Sequence, residues 1–147
     1  MFRLKKRHPV PYGTTPALRT ILSAPEHREY IVSILEEAKG PEEAVLIRNI
    51  SFKSQVGVFG HELAHVLQYS SCNDFNLIKL LIFHSLPVFQ RRMERAADLG
   101  VILHGLEDEL LKHALYIRSV PGYVENRKGI VDNCLSPREI ESYMKKL

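Results

Sequence analysis

The sequence lacks a long apolar run, and this absence argues against a membrane-spanning segment. Its most apolar window, residues 77–89, is too short to cross a bilayer and contains Lys79 and His84. No apolar stretch follows the basic start of the chain, so no signal peptide is predicted. We therefore expect a protein without a membrane span.

Cysteine is also scarce, which excludes a disulfide framework. The chain has only two cysteines, Cys72 and Cys134, which are too few to stabilise a small secreted domain through several disulfide bonds. A chain of this kind normally works in a reducing compartment. We expect a cytoplasmic location.

Strong charge and low-complexity tracts are absent as well. The net charge is +3, and the only dense basic cluster is Arg3-Leu4-Lys5-Lys6-Arg7. This cluster could touch a phosphate surface, but a solvated tail is the expected state, and no nucleic-acid partner is predicted. With 147 residues, 45% hydrophobic and 25% charged, the composition predicts one globular domain over residues 1–147.

The chemistry of the chain is concentrated in residues 61–65, which read His-Glu-Leu-Ala-His. On a helix, residues four apart share one face, so His61 and His65 can direct two imidazole nitrogens at one metal ion. Glu62 lies beside the first ligand, within reach of a water on that metal. The motif sits in an apolar helix, where two histidines and a glutamate would be costly to bury without a partner. The pattern predicts a metal site in which Glu62 is the catalytic base.

A second motif, Met93-Glu94-Arg95-Ala96-Ala97-Asp98, follows about 28 residues downstream. Glu94 is the candidate third protein ligand. Asp98 lies one turn later on the same helix face, where it can accept a hydrogen bond from the free N–H of a ligating imidazole. Together the two motifs predict one metal ion held by His61, His65 and Glu94.

The pair of motifs resembles the gluzincin class of zinc metallopeptidases. It is most similar to the group with an E-x-x-A-D glutamate helix, which includes HtpX-like and CAAX prenyl-protease-like enzymes and small soluble relatives. The resemblance covers the two motif helices and the stretch between them. It implies one Zn²⁺ ion, hydrolysis of protein or peptide substrates, and a minimal zincin-like fold with an active-site helix, a glutamate helix and a small sheet.

The residue pattern also suggests how such a site would work. A metal-activated water would attack the peptide carbonyl, and Glu62 would carry its proton to the leaving amine. A further donor is needed for the developing oxyanion, and four candidates remain open: Tyr116, Tyr123, His104 and His113. Alternative readings are a peptidase that cuts one regulatory partner protein, and a non-catalytic zinc scaffold, although a scaffold has no need of Glu62.

Secondary-structure signals predict an α+β fold that is mostly helical. Residues 1–15 are predicted to form an extended N-terminal arm. The motif helix is expected to be capped by Ser51 or Ser54 and to end near Ser70. Further helices are predicted over residues 16–22, 25–39, 75–86, 87–103, 106–119 and 137–146, the last with a capping box from Ser136.

The expected strands are few. Residues 44–50 have the β-branched composition of a strand, with residues 10–12 as a candidate partner. Because residues 44–50 precede the motif helix, they are predicted either to be a core strand or to form an edge along which an extended substrate lies. Residues 121–133 are predicted to form a loop.

Overall fold

The computed structural model describes residues 2–5, 10–83 and 86–146, with the backbone alone for residues 2–5. Three strands form one small sheet: β1 (Phe2–Lys5), β2 (Tyr12–Pro16) and β3 (Tyr30–Leu35). The strand order is β1-β3-β2, with β1 parallel and β2 antiparallel to β3. β2 is thus an edge strand of the described sheet.

Helices make up most of the remaining chain, in agreement with the prediction of a mostly helical α+β protein. They are α1 (Pro41–Ala44), α2 (Phe52–Ser70), α3 (Asp74–Phe83), α4 (Pro87–Leu103), α5 (Glu107–Ser119), α6 (Tyr123–Val131) and α7 (Pro137–Met144). None of the helices in the described ranges is long and apolar enough to cross a membrane.

Several helix boundaries follow from local signals that the sequence analysis identified. Ser51 caps α2, because its Oγ accepts a hydrogen bond from the Ser54 backbone N–H at 3.3 Å. α4 begins at Pro87 as predicted. α7 opens with the predicted capping box, in which Ser136 and Glu139 each bond to the other's backbone N–H. These signals act over one helical turn, so they do not depend on the rest of the fold.

The helix predicted over residues 25–39 is wrong. A single 3-10 turn, Pro25–His27, is followed by the central strand β3. The apolar positions of this segment fit a helical spacing, but Ile31, Val32 and Ile34 are β-branched and favour a strand. A short apolar run that is buried on both sides does not distinguish the two structures by periodicity.

The strand predicted over residues 44–50 is also wrong, and so is its role as a substrate-binding edge. Pro41 starts the short helix α1, and a 3-10 turn covers Ile47–Asn49. Val45 and Leu46 between them are 0% and 1% exposed. The apolar run is therefore a buried connection.

Three smaller predictions need correction. Residues 16–22 are not a helix, because Pro16 ends β2 and only Leu18–Thr20 forms a 3-10 turn. Residues 121–133 are not a loop, since α6 forms there and buries Tyr123 and Val131. The predicted arm supplies β1 and most of β2; residue 1 and residues 6–9, with part of the basic cluster, lie outside the described residues. Residues 84 and 85, at the end of the helix predicted over 75–86, also lie outside them.

The core sits where α2, α4 and α5 meet. Buried side chains from these helices and from the C-terminal segment pack together: Ala64, Ala97, Val101, Ile102, Leu110, Ala114, Leu135 and Ile140. α4 approaches α2 closely because Gly100 faces Ala64; a Cβ at Gly100 would lie 3.2 Å from the Ala64 Cβ. This close packing of small residues fixes the distance between the two helices that carry the predicted ligands.

Candidate metal centre

The structure brings His61 and His65 of α2 together with Glu94 of α4. One ligand atom from each residue lies within 4.8 Å of the other two. The two Nε2 atoms are 3.1 Å apart, and Glu94 Oε2 is 3.0 Å from Nε2 of His61 and 3.5 Å from Nε2 of His65. His61 and His65 meet because one helical turn separates them. Glu94 joins them because α4 packs against α2.

Asp98 fixes the orientation of the His61 ring. Its Oδ1 lies 2.8 Å from His61 Nδ1, and its Oδ2 accepts a hydrogen bond from the Leu135 backbone N–H at 2.7 Å. Asp98 is only 2% exposed. Because a carboxylate accepts hydrogen bonds, Nδ1 of His61 is the donor. The neutral ring then presents a bare lone pair at Nε2.

Gln68 has the same role for His65, although the sequence analysis did not single it out. His65 Nδ1 lies 3.0 Å from Gln68 Oε1, and Gln68 Nε2 donates to the carbonyl oxygen of Met93 at 3.1 Å. The second bond determines which end of the amide faces the ring, so Nδ1 of His65 is again the donor. A glutamine three residues after a ligand histidine is the sequence signal for this contact.

If both rings are neutral and protonated only at Nδ1, three acceptor atoms point at one another. Two imidazole lone pairs and a carboxylate oxygen repel unless a cation or protons lie among them. Ligands at 2.0–2.1 Å from a tetrahedral ion would be about 3.3 Å apart, close to the separations of 3.0–3.5 Å between these ligand atoms. The geometry therefore fits a metal ion held by His61, His65 and Glu94.

The electrostatics of the metal-free cluster agree with this reading. Burial alone would lower the pKa of His61, but hydrogen bonds to Asp98 and Glu94 outweigh it and raise that pKa well above its usual value. Burial would raise the pKa of Glu94, yet hydrogen bonds from His61 and His65 hold it well below the usual range. The cluster thus stabilises positive charge at its centre.

Glu62 is placed by the sheet edge. Its side chain is buried, and its Oε2 accepts a hydrogen bond from the Thr14 hydroxyl of β2 at 2.7 Å. Tyr69 strengthens this junction, because its ring stacks near His65 and its hydroxyl donates to the Thr14 carbonyl at 3.4 Å. No sequence signal indicated Thr14, because 47 residues separate it from Glu62.

Three of the four candidate oxyanion donors have structural roles instead. Tyr116 donates to the Ala44 carbonyl at 2.9 Å, Tyr123 is buried in a core cluster, and His104 bonds to the Gly100 carbonyl at the end of α4. His113 differs from them. Among the residues that the structure describes, its buried Nδ1 has no hydrogen-bond partner. Burial, followed by the positive charge of His61, lowers the pKa of His113 to about 4.

Cys134 is a neighbour of the cluster that the sequence analysis did not assign to it. Its Sγ lies 3.9 Å from Glu94 Oε2. Burial, and next the charge of Asp98, raises the pKa of this thiol to about 12, so it is neutral at physiological pH.

Comparisons with protein-family models, with curated proteins and with solved structures found no match for this chain. The assignment of a function therefore depends on the geometry of the metal centre.

Proposed function

We propose that this protein is a zinc-dependent peptidase with a minimal zincin-like fold, related to the gluzincin class. The convergence of His61, His65 and Glu94 around one point, with Glu62 directly after His61 in the chain, is the observation that carries the proposal. The sequence motifs H-E-x-x-H and E-x-x-A-D support the same class. The proposed substrates are proteins or peptides in the cytoplasm.

Zinc is the metal that this donor set suits best. Two neutral imidazoles and one carboxylate are typical ligands for zinc in catalytic sites, where three protein ligands leave a coordination position open. When bound, zinc supplies a Lewis acid that activates water and polarises the substrate carbonyl. Asp98 and Gln68 hold the two imidazoles in the tautomer that such a metal requires.

Glu62 is the proposed general base. It takes a proton from the attacking water and then delivers it to the nitrogen of the leaving amine. Its hydrogen bond from Thr14 fixes the carboxylate on the side of α2 that faces the sheet. A positioned base of this type contributes about 10²- to 10⁴-fold to the rate.

The edge strand β2 is the proposed guide for the substrate. Residues 44–50 cannot serve in this way, because they form no strand. β2 carries Thr14, which contacts Glu62 directly. An extended peptide that pairs with β2 through backbone hydrogen bonds would bring its carbonyl groups past Glu62.

The test compares metal content and cleavage in matched variants. Wild type, Glu62→Gln and His65→Ala are assayed for bound zinc and for hydrolysis of unfolded casein and a peptide library. Glu125→Gln and His27→Ala are the controls, because both side chains are exposed and lie outside the site. We expect one zinc in wild type and Glu62→Gln, cleavage by wild type and both controls, and loss of zinc in His65→Ala.

Two results would count against the proposal. A wild-type protein that binds no zinc, with a melting temperature that excess zinc does not raise, would exclude the metal site. Equal cleavage by wild type and Glu62→Gln would remove Glu62 as the base. Zinc binding without cleavage of any substrate would instead favour the single-target or scaffold alternatives.

A further inference from the structure

Helix α3 is apolar on both of its sides. Leu77 and Leu80 are buried in a cluster with Tyr69 of α2 and Met93 of α4. On the other side, Phe75 is 65% exposed. A helix that is apolar all round normally has both sides covered. The outer side of α3 is therefore a candidate interaction surface.

This surface continues onto the start of α4. The Leu86 backbone N–H donates to the Phe83 carbonyl at 2.9 Å, and the rings of Phe83 and Phe89 lie 6.1 Å apart. Val88, in the first turn of α4, is 85% exposed. We define the docking face by its exposed apolar side chains: Phe75, Ile78, Ile82, Phe83, Leu86 and Val88. An apolar set this dense is unusual on a freely solvated surface.

The described charged side chains within the docking face and at the start of α4 are positive, and the neighbouring acid Asp74 is paired with Arg28. Residues 75–93 contain no aspartate or glutamate. Lys79 is exposed, with its Nζ 4.1 Å from the centre of the Phe75 ring. Arg91 and Arg92 are exposed three and four residues after Val88, on the same side of α4. The docking face therefore has an apolar centre and a positively charged rim. It complements a partner surface that has negative charge outside and an apolar layer beneath.

We propose that the docking face binds the surface of an anionic lipid membrane. Its apolar side chains enter the interface while Lys79, Arg91 and Arg92 contact lipid phosphates, as in helices that lie in the membrane plane. A second copy of the chain fits this face less well. A symmetric dimer would bring the same three cations close to their own copies, with no acid on the face to offset them.

The orientation of α3 links this surface to the metal centre. The inner side of α3 packs on Tyr69, whose ring is stacked at 6.3 Å from His65. Docking would therefore hold the metal centre close to the bilayer. The binding itself depends on neither zinc nor cleavage, so it can be tested independently of the proposed peptidase activity.

Flotation of the full-length protein with lipid vesicles tests the proposal. Vesicles of phosphatidylcholine alone are compared with vesicles that contain one quarter phosphatidylglycerol, with and without added zinc. We expect binding to the anionic vesicles, weakened by high salt and unchanged by zinc. No excess binding to anionic vesicles over neutral ones would overturn the proposal.

Variants separate the apolar and electrostatic contributions. Phe75→Ser with Val88→Ser should lower the partition coefficient at least about tenfold. Replacing Lys79, Arg91 and Arg92 by glutamine should lower binding to anionic vesicles about a hundredfold, since each basic residue contributes about fivefold. Leu103→Ser, 77% exposed at the far end of α4, is the control and should bind like wild type.

Two other results would overturn the membrane assignment. One is a wild-type dimer in light scattering that Phe75→Ser/Val88→Ser dissociates, without any vesicle binding. The other is binding of an acidic amphipathic peptide to the docking face with no affinity for either vesicle. Equal flotation of wild type and the Phe75→Ser/Val88→Ser variant would show that a different surface meets the lipid.

Discussion

Replacing Gly57 by alanine tests whether the packing of α2 on α5 determines the stability of this fold. A Cβ at Gly57 would lie 2.5 Å from the carbonyl oxygen of Glu109 and 2.8 Å from its carbonyl carbon. Both atoms belong to the backbone of α5, which cannot move away as a flexible side chain can. The two helices would have to separate by about 0.7–1 Å to restore normal contact.

The expected size of the effect comes from two opposing contributions. Alanine favours the helix over glycine by about 1 kcal/mol. Overpacking that displaces backbone costs about 1–3 kcal/mol or more, and here it also loosens the core around Leu110 and Ala114. We expect Gly57→Ala to lower the free energy of unfolding by about 2 kcal/mol, or the melting temperature by about 4–8 °C.

Two other glycines in helices are matched controls. A Cβ at Gly60 would meet Leu106 Cδ1 at 3.2 Å, the end of a flexible side chain, and a Cβ at Gly129 would meet nothing within 4 Å. Gly60→Ala should be close to neutral, whereas Gly129→Ala should stabilise the protein by about 1 kcal/mol. Urea unfolding of the metal-free proteins, followed by circular dichroism, gives all three values. If Gly57→Ala is as stable as Gly60→Ala, the reasoning is refuted.

Three further predictions concern the polar groups. Asp98→Asn should weaken zinc binding about 10- to 100-fold in competition with a chelator, whereas the exposed Asp108→Asn should have no effect. Arg28→Ala should lower the free energy of unfolding in urea by about 2–3 kcal/mol, because this side chain, 1% exposed, bonds to Asp74 and to the carbonyls of residues 23 and 72. Arg19→Ala is the control: it removes an exposed ion pair and should change the free energy of unfolding by less than about 1 kcal/mol. Burial lowers the pKa of His113 from 6.5 to about 4, so between these values the unfolded chain binds a proton that the folded one does not. The free energy of unfolding should fall as the pH drops through this window, by about 2 kcal/mol at pH 5. A metal-free His113→Gln variant whose free energy of unfolding changes with pH as steeply as that of the wild type would contradict this.

Local sequence signals predicted the helix starts well. Ser51 before α2 and the Ser136–Glu139 capping box satisfy backbone N–H groups within one turn. Pro87 at the start of α4 has no N–H, so one group fewer needs a partner there. Such groups need partners wherever the helix lies in the fold. The starts of these helices could therefore be predicted without a tertiary structure.

Short apolar segments were predicted less well, because their structure depends on their neighbours. Residues 30–35 form the central strand only because β1 and β2 pair with them. Val45 is buried with Tyr123 and Val131. This contact stabilises the connection over residues 44–50, which was predicted to be a strand, and α6, which was predicted to be a loop. For segments of this length, burial overrides the local preference for helix or strand.

Part of the metal centre could likewise be predicted from local sequence, and part could not. The amino-acid pattern alone predicts that His61 and His65 share a helix face and that Asp98 lies one turn after Glu94 on another helix, because the period of a helix fixes which side chains are adjacent. The fold is needed to show that α4 lies close enough to α2 for Glu94 to complete the cluster, and that Thr14 reaches Glu62. The reason is physical: helical geometry sets distances within an element, whereas distances between elements depend on packing of the whole core, including close contacts such as that of Gly100 with Ala64.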